Sequence, residues 1–128
     1  MNNFAELRKE AYKISRSRKL SKLASCGGVS AALITPDKNI YTGICIDASC
    51  GVGFCAEHSA IAEMLKHKES EIKEIVAITD HGRILPPCGR CRELIFQINP
   101  NNKNTIVHLS ATKQKTIQML LPESWSTG

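Results

Sequence analysis

The sequence predicts a three-layer α/β domain in which a mixed sheet lies between helices. Three observations predict it. Some segments repeat apolar residues at spacings of three and four, while others are short β-branched and apolar runs. The two kinds of segment follow one another in the order α-β-β-α-β-α-β-α. The chain has 128 residues, 42% of them apolar and 23% charged, which is the size and composition of one soluble core. Residues 1–128 are therefore expected to form one domain, long enough to bury about two-thirds of its unfolded surface without covalent staples. This composition does not fit a disordered, collagen-like or coiled-coil chain. No apolar run approaches the roughly 18 residues of a membrane span, and the first ten residues lack the apolar core of a signal peptide, so a cytoplasmic location and no membrane partner are expected.

The elements follow in order. Phe4, Leu7, Ala11 and Ile14 form an apolar stripe at helical spacing, with basic residues around it. Val29 to Thr35 and Ile40 to Ile46, separated by the turn formers Pro36-Asp37-Lys38-Asn39, read as a β-hairpin. Asp47 to Phe54 carries Ser49, Gly51 and Gly53 and reads as an irregular loop passing close to something. A helix opens at Cys55 and runs to about Lys66, burying Ala56, Ala60, Ile61, Met64 and Leu65. A third strand covers Ile75 to Thr79. A second helix starts at Cys88 after Pro86-Pro87, carries Leu94, Ile95 and Ile98, and stops before Pro100. A fourth strand at Thr105 to Leu109 and a short helix at Thr116 to Leu121 complete the pattern. There is no internal repeat.

The net charge of +5 hints at a polyanion partner until it is mapped. Residues 1 to 24 hold seven Lys or Arg against Glu6 and Glu10, which already gives +5, and residues 25 to 128 hold ten basic and ten acidic side chains. The surplus is assigned to the first helix, and the neutral body gives no reason to expect nucleic acid.

Six cysteines in a cytoplasmic chain do not suggest a disulfide framework, so their spacing carries the information. Cys26, Cys45 and Cys50 have no partner spacing and read as small buried hydrophobes. Cys88-Gly89-Arg90-Cys91 at a helix start points both sulfurs at the positive end of a helix dipole; alone it leaves zinc, redox chemistry and chance open. Cys55-Ala56-Glu57, about 30 residues earlier and also at a helix start, narrows the choice. Together the two segments offer three thiolates and a carboxylate. Three protein ligands leave a fourth zinc position open for water, as in catalytic sites, whereas a structural site would close with a fourth Cys or His. Glu57, two residues after Cys55 on the same helical turn, is placed to reach a metal-bound water without being a ligand. A capping role for Glu57 would not explain the cysteines. The lone His67, His81 and His108 lack ligand spacing and read as surface or satisfied core residues.

With Cys55-Ala56-Glu57 and Pro87-Cys88-Gly89-Arg90-Cys91-Arg92-Glu93-Leu94, supported by Val29-Ser30-Ala31-Ala32-Leu33 and Leu120-Leu121-Pro122, the chain resembles the cytidine deaminase superfamily. It is most similar in pattern to the small homotetrameric three-cysteine group that includes cytidine and blasticidin S deaminases. The resemblance spans about Val29 to Trp125. It implies a cytidine deaminase-like fold with a five-stranded sheet, one more strand than the pattern places. It also implies one zinc ion per chain held by Cys55, Cys88 and Cys91. The catalytic residue would be Glu57, taking a proton from water, passing it to ring nitrogen 3 as hydroxide adds to carbon 4, and then protonating the departing amine.

The implied partner is a small cytosine nucleoside or analogue. Ser30, Cys45, Asp47, Ala56 and Trp125 are the implied substrate-binding residues. Nucleoside-specific members carry Asn-x-Glu where this chain has Cys45-Ile46-Asp47, and a thiol is a weak hydrogen-bonding substitute for the amide. They also carry an aromatic residue before the Val-Gly-Ala-Ala stretch, where Cys26, Gly27 and Gly28 stand here. Ser30, in place of glycine, is closer to the blasticidin S deaminase pattern. Zinc with three thiolates bears a net charge near −1, which Arg90 and Arg92 are expected to offset, because His58 occupies the position after Cys-Ala-Glu where many relatives have Arg. Trp125, the single tryptophan, follows the helix stop at Pro122 and is expected to line a neighbouring subunit's pocket in a homotetramer. The alternatives are deamination of a nucleoside antibiotic and a noncatalytic zinc module binding nucleic acid through the first helix. Editing of polynucleotides fits less well, because that group has His as first ligand and this chain is only 5% aromatic.

Overall fold

The structure, a computed structural model, describes residues 2–127. Its long elements are α1 (Phe4–Ile14), β2 (Ala24–Ile34), β3 (Ile40–Ala48), α2 (Ala56–Lys66), β4 (Glu74–Thr79) and α3 (Gly89–Ile98). Short ones are β1 (Arg18–Lys19), β5 (Ile84–Leu85), β6 (Ile106–His108), β7 (Gln114–Thr116) and α4 (Ile117–Leu120). The main strands run in the order β3-β2-β4-β6-β7, with β1 added beside β2 and β5 beside β4. Every pairing is antiparallel except β4 with β6, which α3 links by a crossover, so the sheet is mixed as expected.

The alternation of side chains along β2 and β4 builds both cores. Ala31, Leu33, Ile75 and Ala77 point to the face covered by α2, α3 and α4, where they meet Ala60, Ile61, Met64, Ile95 and Ile117. Ala32, Ile34, Val76 and Ile78 point to the other face and pack on Leu7 and Ala11 of α1. The backbone of α2 rests directly on β3 at Gly43, where an added Cβ would lie 2.3 Å from the Ala60 nitrogen.

Several expectations are corrected. Leu65, an expected core residue, is exposed on the outer face of α2. The strand opened at Val29 begins at Ala24, because Gly27, at φ +83°, lets the chain bulge rather than end there. The stretch after Asp47 starts as strand, makes a 3-10 turn at Ser49–Gly51, and returns so that Phe54 bridges Ile46. Cys26 and Cys45 are buried, but Cys50 is exposed on that turn. The basic surplus is not confined to α1: Arg16, Arg18, Lys19 and Lys22 lie beyond it, on β1 and its flanking loops. The fifth main strand is β7, which is polar and carried no apolar signal.

The α1 face buries one charged cluster. Both Glu74 oxygens accept the Asn3 backbone N–H at 3.0 Å, the Asn3 side-chain amide donates to Oε2 at 2.6 Å, and His108 Nε2 lies 2.8 Å from Oε1. Glu74 and His108 are both buried. Among the described residues no helix is long and apolar enough to cross a membrane.

Candidate active site

Cys55 and Cys88 occupy the N-cap positions of α2 and α3, both with extended backbone and neither making a side-chain cap hydrogen bond. The two helix starts converge, and Cys91, one turn into α3, completes a cluster whose sulfurs lie within 4.8 Å of one another. Cys55 Sγ is 3.4 Å from Cys88 Sγ, which is 3.6 Å from Cys91 Sγ. Tetrahedral zinc with Zn–S bonds of about 2.3 Å requires sulfurs about 3.8 Å apart, so the donor set and its spacing fit zinc.

The cluster closes one end of a cavity of about 660 Å³. Val29, Cys45, Asp47, Phe54, Ala56, Glu57 and Arg90 line it. Glu57, on the first turn of α2, is only 5% exposed. Burial pushes its carboxyl above the usual range; its own backbone N–H and the Cys91 thiol oppose this without cancelling it. Among the described residues it has no ion-pair partner. The thiols differ among themselves. Burial, then Glu57's charge, pushes Cys91 up, and burial with the Cys88 thiol raises Cys55. At Cys88 burial is outweighed by the Cys91 backbone N–H, the neighbouring thiols and the Arg90 backbone N–H, and its pKa falls.

The expected substrate residues are not all brought here. Cys45, Asp47 and Ala56 line the cavity. Cys45 Sγ accepts the Val29 N–H at 3.3 Å and donates to Asp47 Oδ2 at 3.6 Å. Ser30 is on the wrong face: it alternates with Val29 along β2, is fully buried toward α1, and donates to the Ala11 carbonyl at 2.5 Å. Trp125 is 82% exposed and does not line its own chain's cavity. Of the two expected charge-compensating cations, Arg92 donates to the Pro87 and Leu120 carbonyls at 2.9 and 3.2 Å, bracing α3 against α4 rather than meeting a sulfur. Arg90 is exposed at the cavity mouth. The side chain that does reach a sulfur is His58, with Nδ1 3.4 Å from Cys91 Sγ. Burial, and then Arg90, hold its pKa below the ordinary histidine value. Phe54 was not singled out from sequence; it lines the cavity and stacks on His58 with ring centroids 6.4 Å apart. Its place directly before Cys55 was the signal available.

A three-thiol metal centre above a buried, unpaired carboxylate defines a zinc-dependent deaminase when it sits on this α/β fold. The comparisons with known proteins agree. The family described as "Cytidine and deoxycytidylate deaminase zinc-binding region" matches residues 4–108. A cytidine deaminase of Halalkalibacterium halodurans is 31% identical over 101 residues, covering 77% of this chain and 76% of that protein. A blasticidin-S deaminase of Bacillus cereus is 32% identical over 103 residues, covering 73% and 74%. The crystal structure of cytidine deaminase from Mycobacterium tuberculosis superposes with a TM-score of 0.80 at 22% identity over 98% of both chains, a likeness of fold. The chain belongs to the cytidine and deoxycytidylate deaminase family, and zinc is its cofactor.

Proposed function

We propose that residues 1–128 act as one catalytic domain that hydrolyses the 4-amino group of cytidine, deoxycytidine or a related cytosine nucleoside, giving the uracil product and ammonia. The observation that carries this reading is Glu57, buried without an ion-pair partner beside the three sulfurs and lining the cavity. Cys55, Cys88 and Cys91 would hold one zinc ion, which when bound supplies the Lewis acidity that makes water a nucleophile near neutral pH. Glu57 takes the proton from water and delivers it to ring nitrogen 3 as the oxygen adds to carbon 4; it then takes the proton of the new hydroxyl and gives it to the amine, so that carbon 4 becomes a carbonyl and ammonia leaves. A carboxyl raised by burial suits both halves of that exchange, since it accepts a proton more readily than an ordinary glutamate and remains able to release it. Phe54 and Val29 give the base apolar walls, and Asp47 and Arg90 present charge to the sugar at the mouth.

The protein acts in the cytoplasm as a homotetramer in which Trp125 of one subunit covers the cavity of the next. The exposure of so large a ring supports this, since burying it is worth about 2 to 3 kcal/mol. The decisive experiment is ammonia release from the zinc-loaded protein with cytidine, deoxycytidine, cytosine, deoxycytidine monophosphate, blasticidin S, adenosine and guanine. Turnover highest with cytidine or deoxycytidine supports the reading. Turnover of blasticidin S alone moves the function to antibiotic resistance. Salt-dependent nucleic-acid binding with no turnover would make the protein a binding module.

A further inference from the structure

We propose that His58 is a positioning residue of the metal centre, whose imidazole donates its Nδ1 proton to the Cys91 sulfur and thereby sets how tightly the three thiolates hold zinc. The inference rests on the zinc reading above and adds a residue to it. Three thiolates around a divalent cation leave an excess negative charge, and sulfur ligands in such centres depend on nearby donors to spread it. The three sulfurs are unequally served. Cys88, at a helix start and partly in solvent, has backbone N–H groups turned toward it. Cys91 is fully buried and shares its surroundings with the carboxylate of Glu57, so it is the sulfur that most needs a donor.

His58 is built to supply one. Its Nδ1 lies 3.4 Å from Cys91 Sγ, within hydrogen-bonding distance for sulfur. Its backbone N–H is tied to the Cys55 carbonyl at 3.1 Å, and its ring lies nearly parallel to Phe54, 19° between planes. A neutral imidazole has one N–H; placed on Nδ1 it reaches the sulfur and leaves Nε2 as an acceptor. Of the two arginines, Arg92 donates to two carbonyls and Arg90 is exposed at the cavity mouth, and neither hydrogen-bonds a sulfur through its side chain. The other polar side chain at this sulfur, the Glu57 carboxylate, can only accept from it, so His58 is the neighbour able to donate to Cys91. A thiolate that accepts a hydrogen bond donates less charge to the metal, so the contact both offsets the buried charge and keeps the ion a stronger Lewis acid.

The test uses the full chain loaded with zinc or with cobalt(II). His58→Phe keeps the stack on Phe54 and removes the donor. His58→Asn places an amide nitrogen where Nδ1 was, whereas His58→Gln places one near Nε2. The readouts are zinc affinity, by competition with a chromophoric chelator, and the energy of the sulfur-to-cobalt charge-transfer band. Neither needs a substrate. For His58→Phe we expect affinity to fall by about 10- to 100-fold, the usual cost of losing such a partner, and the band to move to lower energy. His58→Asn should restore most of both, and His58→Gln should not. If His58→Phe does not fold, the Asn and Gln variants carry the test, and equal behaviour of those two overturns the proposal. An unchanged affinity and band in a folded His58→Phe overturns it as well, while leaving the zinc reading intact. A wild-type chain that takes up neither metal overturns both.

Discussion

Each face of the sheet buries one glutamate, and the two are treated in opposite ways. Under α1, Glu74 has every lone pair engaged by Asn3 and His108. Burial pushes its pKa up, but the Asn3 N–H, His108 and the Asn3 amide outweigh this and hold it below the usual carboxylate range. On the other face Glu57, in the first turn of α2, is left with its own helix-start N–H and a thiol, and its pKa is raised. A buried carboxylate whose donors outweigh its burial is held in the charged form, while one whose donors are too few to do so is a group held ready for proton transfer. Environment, rather than residue type or depth, separates the structural acid from the chemical one.

That contrast can be broken in a graded way. The largest effect should come from Cys88→Ala, which is expected to lose bound zinc and all measurable deamination; metal analysis of the purified variant checks it, and unchanged zinc content would sink the ligand assignment. Next, Glu57→Gln should keep zinc and fold while activity falls by at least about 100-fold, the low end for a positioned acid/base. Its urea stability should stay the same or rise, because a poorly partnered carboxylate has been removed. Glu74→Ala should do the reverse, retaining the metal centre while losing about 3 to 5 kcal/mol, the cost of breaking a buried pair. Because the folded pKa of Glu74 is depressed, its contribution is present above the unfolded value of about 4.3 and disappears as pH falls through the folded one. Urea titrations at descending pH should show this acid loss in wild type and not in Glu74→Ala. The smallest effect is expected from truncation after Glu123, which should leave zinc and helix content intact but raise KM or lower kcat. Full activity in the truncated chain would remove Trp125 from the substrate site.

Much of the fold was legible because the long elements announce themselves. The near-continuous apolar runs of Val29 to Ile34 and Ile75 to Thr79 follow from strands buried on both faces, and the helical spacing of Phe4 to Ile14 follows from a helix buried on one. The strands that escaped are β1, β5 and β7, two or three residues long; β1 and β7 are polar edges whose pairing is made by backbone alone. At the site, Cys55, Glu57, Cys88 and Cys91 were legible because their chemistry is local to two helix starts. Ser30 was misplaced because a motif gives position along a strand but not which face its side chain takes. His58 could be seen in sequence only as a departure at the position after Glu57; its role came from a contact with Cys91, 33 residues away.

The Glu74 cluster also bears on the order in which the chain folds. The hairpin of β2 and β3 joins neighbours across one turn, beginning with Ile34 and Ile40, and can form early with little loop entropy to overcome. Asn3 meets Glu74 across 71 positions, and Glu74 meets His108 across 34. Contacts this distant form only once the strands between them are in register, so the docking of α1 belongs to the late side of the folding barrier. Removing Glu74 should then hasten unfolding and leave the refolding rate nearly unchanged, which stopped-flow measurements in urea would resolve. Until that step is complete, the apolar stripe of α1 and the strand faces beneath it stay open to water. The newly made chain is therefore most prone to aggregation on the face that does no chemistry.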